Sequence, residues 1–172
     1  MRLVLVGGAA GVGKSTAARH LLRSAAKGPL LIQWVDVDAL WLHQPWRVDD
    51  VTTGMLHANL RAVMSNAAAA EVDILIVTWV FQNEAMHDVV RRLAPDATRI
   101  TTVQLHLAET SWRQRFKSDD VRPEIDQFFV DRYHQAQATP VDHVIDVDGL
   151  APGAVAAAIN HAVGLGRFPK HQ

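Results

Sequence analysis

The 172-residue chain contains no cysteine, which excludes disulfides and thiolate metal sites and fits a reducing compartment. No apolar run approaches the roughly 20 residues that a membrane-spanning helix needs. The opening MRLVLVGG is interrupted by glycine too early to read as a signal peptide. Lysine and arginine number 17 against 18 aspartates and glutamates, so no excess of charge argues for nucleic acid or a membrane surface as a partner. Internal repeats and a linker are also missing, and the alanine runs fall inside helical patterns. These absences leave one domain over residues 1–172, expected in the cytoplasm as a monomer or homodimer.

What is present alternates. Apolar, β-rich runs at 2–7, 30–37, 73–80, 99–107 and 142–147 are separated by helical stretches, and both faces of each run are apolar. That pattern predicts an α/β domain with a mostly parallel five-stranded sheet covered by helices on both sides. Thr52 or Thr53 is expected to cap a long helix through Ala70, with Met55, Leu56, Leu60, Val63 and Met64 facing inward. Asn83 is expected to cap the helix after the third strand. Further helices are expected over 14–26, 109–117, 124–137 and 151–163, the last with Pro152 near its first turn.

The stretch GGAAGVGKST joins the first strand to the first helix and contains Gly8-x-x-x-x-Gly13-Lys14-Ser15, the Walker A pattern. Glycines let successive backbone N–H groups turn inward around a phosphate, and the helix N-terminus adds its positive end. The loop residues Gly8, Ala9, Ala10, Gly11, Val12, Gly13, Lys14, Ser15 and Thr16 are therefore candidate nucleotide contacts. Lys14 would reach the β- and γ-phosphates of ATP, and the Ser15 hydroxyl would ligate Mg²⁺.

Many phosphate-loop proteins hold that metal's water shell with an acid at the end of a neighbouring strand. The third strand, DILIVTWVFQN, ends without one. The second strand ends in VDVD, and strand alternation places Asp36 and Asp38 on the same side of an extended backbone. One carboxylate can then serve the metal while the other accepts a proton from a substrate hydroxyl. The competing reading is a turn in which Asp38 caps the following residues.

The Walker A stretch, the Asp-x-Asp at the end of strand two and an arginine-rich segment after strand four together resemble the small-molecule kinases of the nucleoside monophosphate kinase-like superfamily. Shikimate kinases are the nearest likeness, with gluconate kinases and chloramphenicol phosphotransferase-like proteins beside them. The resemblance implies a three-layer P-loop NTPase fold with a short mobile lid at about 117–124. It implies that Asp36 serves the metal and Asp38 the acceptor hydroxyl. Within WRQRFKSDDVRPE it implies that Arg115, or Arg113, covers the adenine and that Arg122 reaches the phosphates. DRYHQ resembles the family's acceptor-site arginine region, which makes Arg132 a contact for a substrate anion. VDGLAPG resembles the adenine-edge loop, which implicates Pro152. Solvated arginines paired with nearby acids are the plain alternative.

Trp41, Arg47, Arg61, Thr78 and Trp79 complete the acceptor-site candidates, although tryptophans more often pack in cores. Shikimate kinases carry a glycine-rich turn where this chain has the bulky TWVFQN, so a different hydroxyl compound is expected: a sugar acid, a nucleoside or an antibiotic-like molecule. The nine histidines show no metal-ligand spacing. The expected reaction is transfer of the γ-phosphate of MgATP to a small-molecule hydroxyl. A nucleoside or nucleotide kinase and a regulatory ATPase are the alternatives.

Overall fold

A computed structural model of the protein describes residues 1–26, 28–119 and 122–166. Among them the order is β1 (Arg2–Gly7), α1 (Lys14–Ala25), β2 (Ile32–Asp36), α2 (Val37–Trp41), α3 (Asp50–Ala69), β3 (Ile74–Thr78), α4 (Glu84–Leu93), β4 (Arg99–His106), α5 (Glu109–Lys117), α6 (Gln127–Ala138), β5 (His143–Asp146) and α7 (Pro152–Val163). The five strands form one sheet in the order β2-β3-β1-β4-β5, and every pairing is parallel. Of the expected lid, residues 120 and 121 lie outside the described residues.

The central position of β1 follows from its composition. Leu3 and Leu5 face one layer, where Leu75 and Val77 of β3 meet Leu56, Leu60 and Met64 of α3 and Val90 of α4. Val4 and Val6 face the other, with Ile76, Val103 and Leu105 against Leu21 of α1, Trp112 of α5 and Ile159 of α7. A strand with apolar side chains on both faces is stable only between two helical layers. The three-layer α/β architecture is therefore the one expected.

Local chemistry corrects three boundaries. The chain leaves the sheet at Asp36 and turns directly into α2, so Asp38 stands in the first turn of a helix and not on an extended strand. The cap of α3 is Asp49. Its carboxylate accepts from Thr52 N while the Thr52 hydroxyl accepts from Asp49 N, a reciprocal capping box that puts Thr52 at the third helical position. Asp126 caps α6 through Phe129 N and starts that helix three residues later than Glu124. Asn83 caps α4 through Met86 N, as expected.

The inward stripe of α3 also narrows. Leu56, Leu60 and Met64 are buried, whereas Met55 is 38% exposed. Replacing Leu60 by alanine is expected to cost about 2–5 kcal/mol through the cavity it leaves. Met55→Ala on the same helix is expected to stay within about 1 kcal/mol. Urea unfolding of the two variants checks the facing of the helix.

Candidate functional site

The loop between β1 and α1 takes its shape from glycines at positive φ, Gly8, Gly11 and Gly13. Gly8 leaves the strand at φ 139°, where a Cβ would lie 2.8 Å from Val12 Cγ1 and 2.9 Å from the Leu105 carbonyl oxygen. Gly13 adopts φ 108° immediately before α1, a left-handed conformation that other residues rarely take. Ala9 and Val12 plug the loop into the core. From above, Trp112 Nε1 donates to the Ala10 carbonyl at 2.8 Å. No side chain caps α1, so its first N–H groups, which lack helical partners, are left for a ligand.

Lys14 curls back over this loop and donates to the carbonyls of Gly8 at 2.8 Å and Ala9 at 3.0 Å. Burial pulls its ammonium down from 10.5 to about 8, the neighbouring Asp38 and Asp36 charges oppose that fall, and Arg122 adds to it. Ser15, the next residue, donates its hydroxyl to Asp36 Oδ2 at 2.7 Å. The other oxygen of Asp36 accepts from Asp38 N at 3.2 Å and so caps α2. The cap belongs to Asp36 and not to Asp38, which leaves the Asp38 carboxyl free to face the cleft.

Asp38 is held above the usual carboxylate range, first by the protein mass around its carboxyl and then by the Asp36 charge. Lys14, a hydrogen bond with Trp79 and the charge of Arg132 work in the opposite direction. Asp36 and Asp38 share a cavity of about 370 Å³ with Lys14, Ser15, Arg115 and Arg122. A second cavity of about 380 Å³ adjoins it through Gly11, Gly13, Thr16 and Arg115, and is walled by Val12, Leu150, Pro152 and Val155. A larger hollow of about 470 Å³ lies at the opposite, amino end of the strands beside Met1, Arg2 and Asp73, away from the phosphate loop.

The arginines separate. Arg115 lines both cavities and reaches the Val12 carbonyl at 3.4 Å. Arg113 turns away, paired with Glu109 at 2.7 Å and lying over Trp112. Arg122 lines the first cavity, is paired with Asp119 at 2.8 Å and lies 5.1 Å from the Phe116 ring centre. Arg132 lies 4.0 Å over the Phe128 ring, partly desolvated and within electrostatic reach of Asp38.

Other acceptor candidates fall outside. Thr78 is fully buried, accepting from Trp34 Nε1 at 3.0 Å and donating to the Val35 carbonyl, so it ties β3 to β2 and faces no ligand. Arg47 is exposed and paired with Asp49 at 3.0 Å, and Arg61 is exposed on α3. Trp41 anchors α2 to α3 by donating to the Thr52 carbonyl at 2.9 Å.

No protein-family model matches the chain, and no curated protein matches its sequence. Its structure aligns with that of a Deinococcus radiodurans tunicamycin resistance protein over 98% of this chain and 99% of that one, with a TM-score of 0.73 at 21% identity. It aligns with a sugar kinase from a Janibacter species over 96% of both chains, with a TM-score of 0.72 at 17% identity. A shikimate kinase from Aquifex aeolicus covers 94% of this chain with 96% of its own, with a TM-score of 0.61 at 18% identity. The fold is that of the P-loop small-molecule kinases.

Within that P-loop kinase fold, some residues at the cleft carried no signal in the sequence. Trp112 braces the loop from a helix 102 positions away, and only the three-dimensional packing reveals it. Asp119 holds Arg122, and Leu150 and Val155 wall the second cavity. Arg19 also lines the phosphate cavity, and its spacing of four from Ser15, one helical turn, was the sequence cue available.

The lowered Lys14 value is directly measurable. Lysine-selective NMR is expected to find one amine titrating near 8, and to find it lower still in Asp38→Asn, which removes a charge that holds it up. Between about 8 and 10.5 the folded state binds fewer protons at Lys14 than the unfolded chain does. That contribution makes stability rise with pH across this window.

Proposed function

We propose that the protein is an ATP-dependent phosphotransferase that moves the γ-phosphate of MgATP to a hydroxyl of a small molecule. The observation that carries this reading is the convergence of Lys14, Ser15, Asp36 and Asp38 on one cavity at the carboxyl ends of the strands. The fold shared with sugar and shikimate kinases supports it.

In this reading the triphosphate lies along the loop from Ala9 to Thr16, against inward N–H groups and the open end of α1. Lys14 leaves the carbonyls of Gly8 and Ala9 for the β- and γ-phosphates, whose charge keeps its amine protonated. The base takes the adjoining cavity, between Val12, Leu150, Pro152 and Val155, with Arg115 across its face. Arg122 faces the transferring group. Its partner Asp119 holds it in place until a phosphate competes for the guanidinium.

The donor set fits Mg²⁺. Mg²⁺ keeps several waters and is held by one or two carboxylates together with substrate phosphates, and here one hydroxyl and one carboxylate meet at 2.7 Å. Among the described residues no group of three His, Asp or Glu side chains could hold a metal by itself, so the phosphates would complete the ligand set. When bound, the ion neutralises charge building on the β- and γ-oxygens. Ser15 and Asp36 would hold it.

Asp38 would accept the proton of the acceptor hydroxyl as that oxygen bonds to the γ-phosphorus. The bond from phosphorus to the bridging oxygen breaks, and ADP leaves with the electron pair. A carboxylate held above its usual range is a stronger base than a free one, which suits this step. Trp79 orients the carboxyl, and Arg132 faces it from α6 as a contact for an anionic group on the acceptor.

Asp38→Asn is expected to lower transfer at least about 100-fold while leaving ATP affinity within about threefold. Lys14→Ala is expected to weaken ATP binding itself, by about tenfold or more. Phosphate release and transfer to a panel of hydroxyl compounds, measured alongside ATP binding by calorimetry, provide the comparison. Normal transfer by Asp38→Asn would remove Asp38 as the base. Brisk hydrolysis that no acceptor accelerates would favour a nucleotide-driven switch.

A further inference from the structure

Resting on that phosphotransfer reading, we infer that Phe81 and His87 are positioning residues, a pair of stacked rings that holds Trp79 in place and, through Trp79, the carboxyl of Asp38. Each step of this connection is a contact. The His87 ring of α4 lies on the Phe81 ring with centres 4.5 Å apart and planes 6° from parallel. Phe81 meets the Trp79 ring edge-on at 5.8 Å, and Trp79 hydrogen-bonds the Asp38 carboxyl. Stacked and edge-on pairs are the arrangements that aromatic quadrupoles favour.

Two costs meet at this spot. Phe81 adopts φ 43°, a left-handed backbone that is an outlier for a bulky residue. His87 is 1% exposed, yet neither ring nitrogen has a hydrogen-bond partner of good geometry among the described residues, and the Asn83 backbone compensates only in part. Burial, and after it the Arg91 charge, hold the imidazole below its ordinary value, so the ring serves as an uncharged plate. An aliphatic side chain would fill this part of the core without stranding two nitrogens. Strained backbone persists where the surroundings over-determine it, and it gathers at functional sites.

The strained turn carries the edge of the cleft. Trp79 N donates to Val6 O at 3.3 Å, and Val80 O accepts from Gly8 N at 3.2 Å. The residues before Phe81 are thus stitched to the end of β1 and to the first residue of the phosphate loop. Val80 lines the same cavity as Lys14 and Asp38. Phe81 itself presses on Gly7, where an added Cβ would lie 3.0 Å from the Phe81 Cβ. His87 covers the other side of this assembly from the start of α4. Without the stacked rings Trp79 would lose its backing, and the Asp38 carboxyl its fixed donor.

Hydrogen exchange at the indole N–H groups tests this by NMR, with Trp79 assigned through Trp79→Phe. Trp112, whose indole is tied to the Ala10 carbonyl, is the internal reference for general loosening. Asp38→Ala and His87→Leu are each expected to speed exchange at Trp79 about tenfold and to leave Trp112 unchanged. His87→Phe keeps a ring on Phe81 and is expected to keep Trp79 slow. Phe81→Leu is expected to match His87→Leu, and either one decides the comparison if the other does not fold. In transfer of phosphate from MgATP to water, which Asp38 would also deprotonate, His87→Leu is expected to lower kcat about tenfold at unchanged KM. It is expected to add no further loss in a Trp79→Phe background.

Exchange that rises equally at Trp79 and Trp112 in His87→Leu, or at neither, reduces the pair to core packing and overturns the positioning role. So does His87→Phe behaving as His87→Leu does, Asp38→Ala leaving Trp79 slow, or an additive loss in the Trp79→Phe background. If the exchange pattern holds while neither water nor any hydroxyl compound of the panel takes phosphate, the positioning role stands and the phosphotransfer reading falls alone.

Discussion

Holding the Lys14 ammonium away from water organises the carboxyl end of the sheet. A buried cation is costly unless donors, acceptors and opposite charges surround it. Here two loop carbonyls take its protons, at 2.8 and 3.0 Å, and two carboxylates supply charge. The loop can offer those carbonyls because Gly8, Gly11 and Gly13 bend it, and it stays bent because Ala9 and Val12 are set into the core while Trp112 holds Ala10. The carboxylates arrive from a different crossover, since β3 lies between β1 and β2 and carries the end of β2 to within reach of Ser15. Compensation remains incomplete, which is why the amine sits near 8. A phosphate group would complete it.

The fold was legible because it rests on coarse features. Five apolar runs with no polar face admit few arrangements other than a sheet covered on both sides, and a glycine-rich turn between strand and helix has few uses. Helix starts were harder, because several residues near one another can cap. Thr52 and Asp49 both offer side-chain oxygens, and their reciprocal bonding decides which is the cap and which the third position. Asp36 and Asp38 posed the same difficulty. Alternation places them together only if the strand continues, yet the chain enters a helix at Val37 and Asp38 comes to the cleft from the first turn instead.

The cleft divides along the same line. Local pattern pointed to the loop and the acid pair, and the family resemblance pointed to Arg122; all of them line the first cavity. Arg115 and Arg113 are two residues apart and were indistinguishable until the helix orientation sent one to the cavities and the other to Glu109. Thr78 looked available at the end of an apolar strand, but the neighbouring strand brings Trp34 and Val35 against its hydroxyl. Partners contributed by distant segments were the information that spacing could not hold.

The two carboxylate oxygens of Asp36 answer to different structures. Oδ2 meets Ser15 on the phosphate loop, and Oδ1 starts α2. A helix of five residues has little cooperativity of its own and depends on such an anchor, together with Trp41 and the Asn59 amide on the Leu40 carbonyl. The residue is therefore pinned twice, and neither asparagine nor alanine would satisfy both demands. One carboxylate therefore couples the glycine-rich loop to the start of α2, so a change at Asp36 would be felt at both.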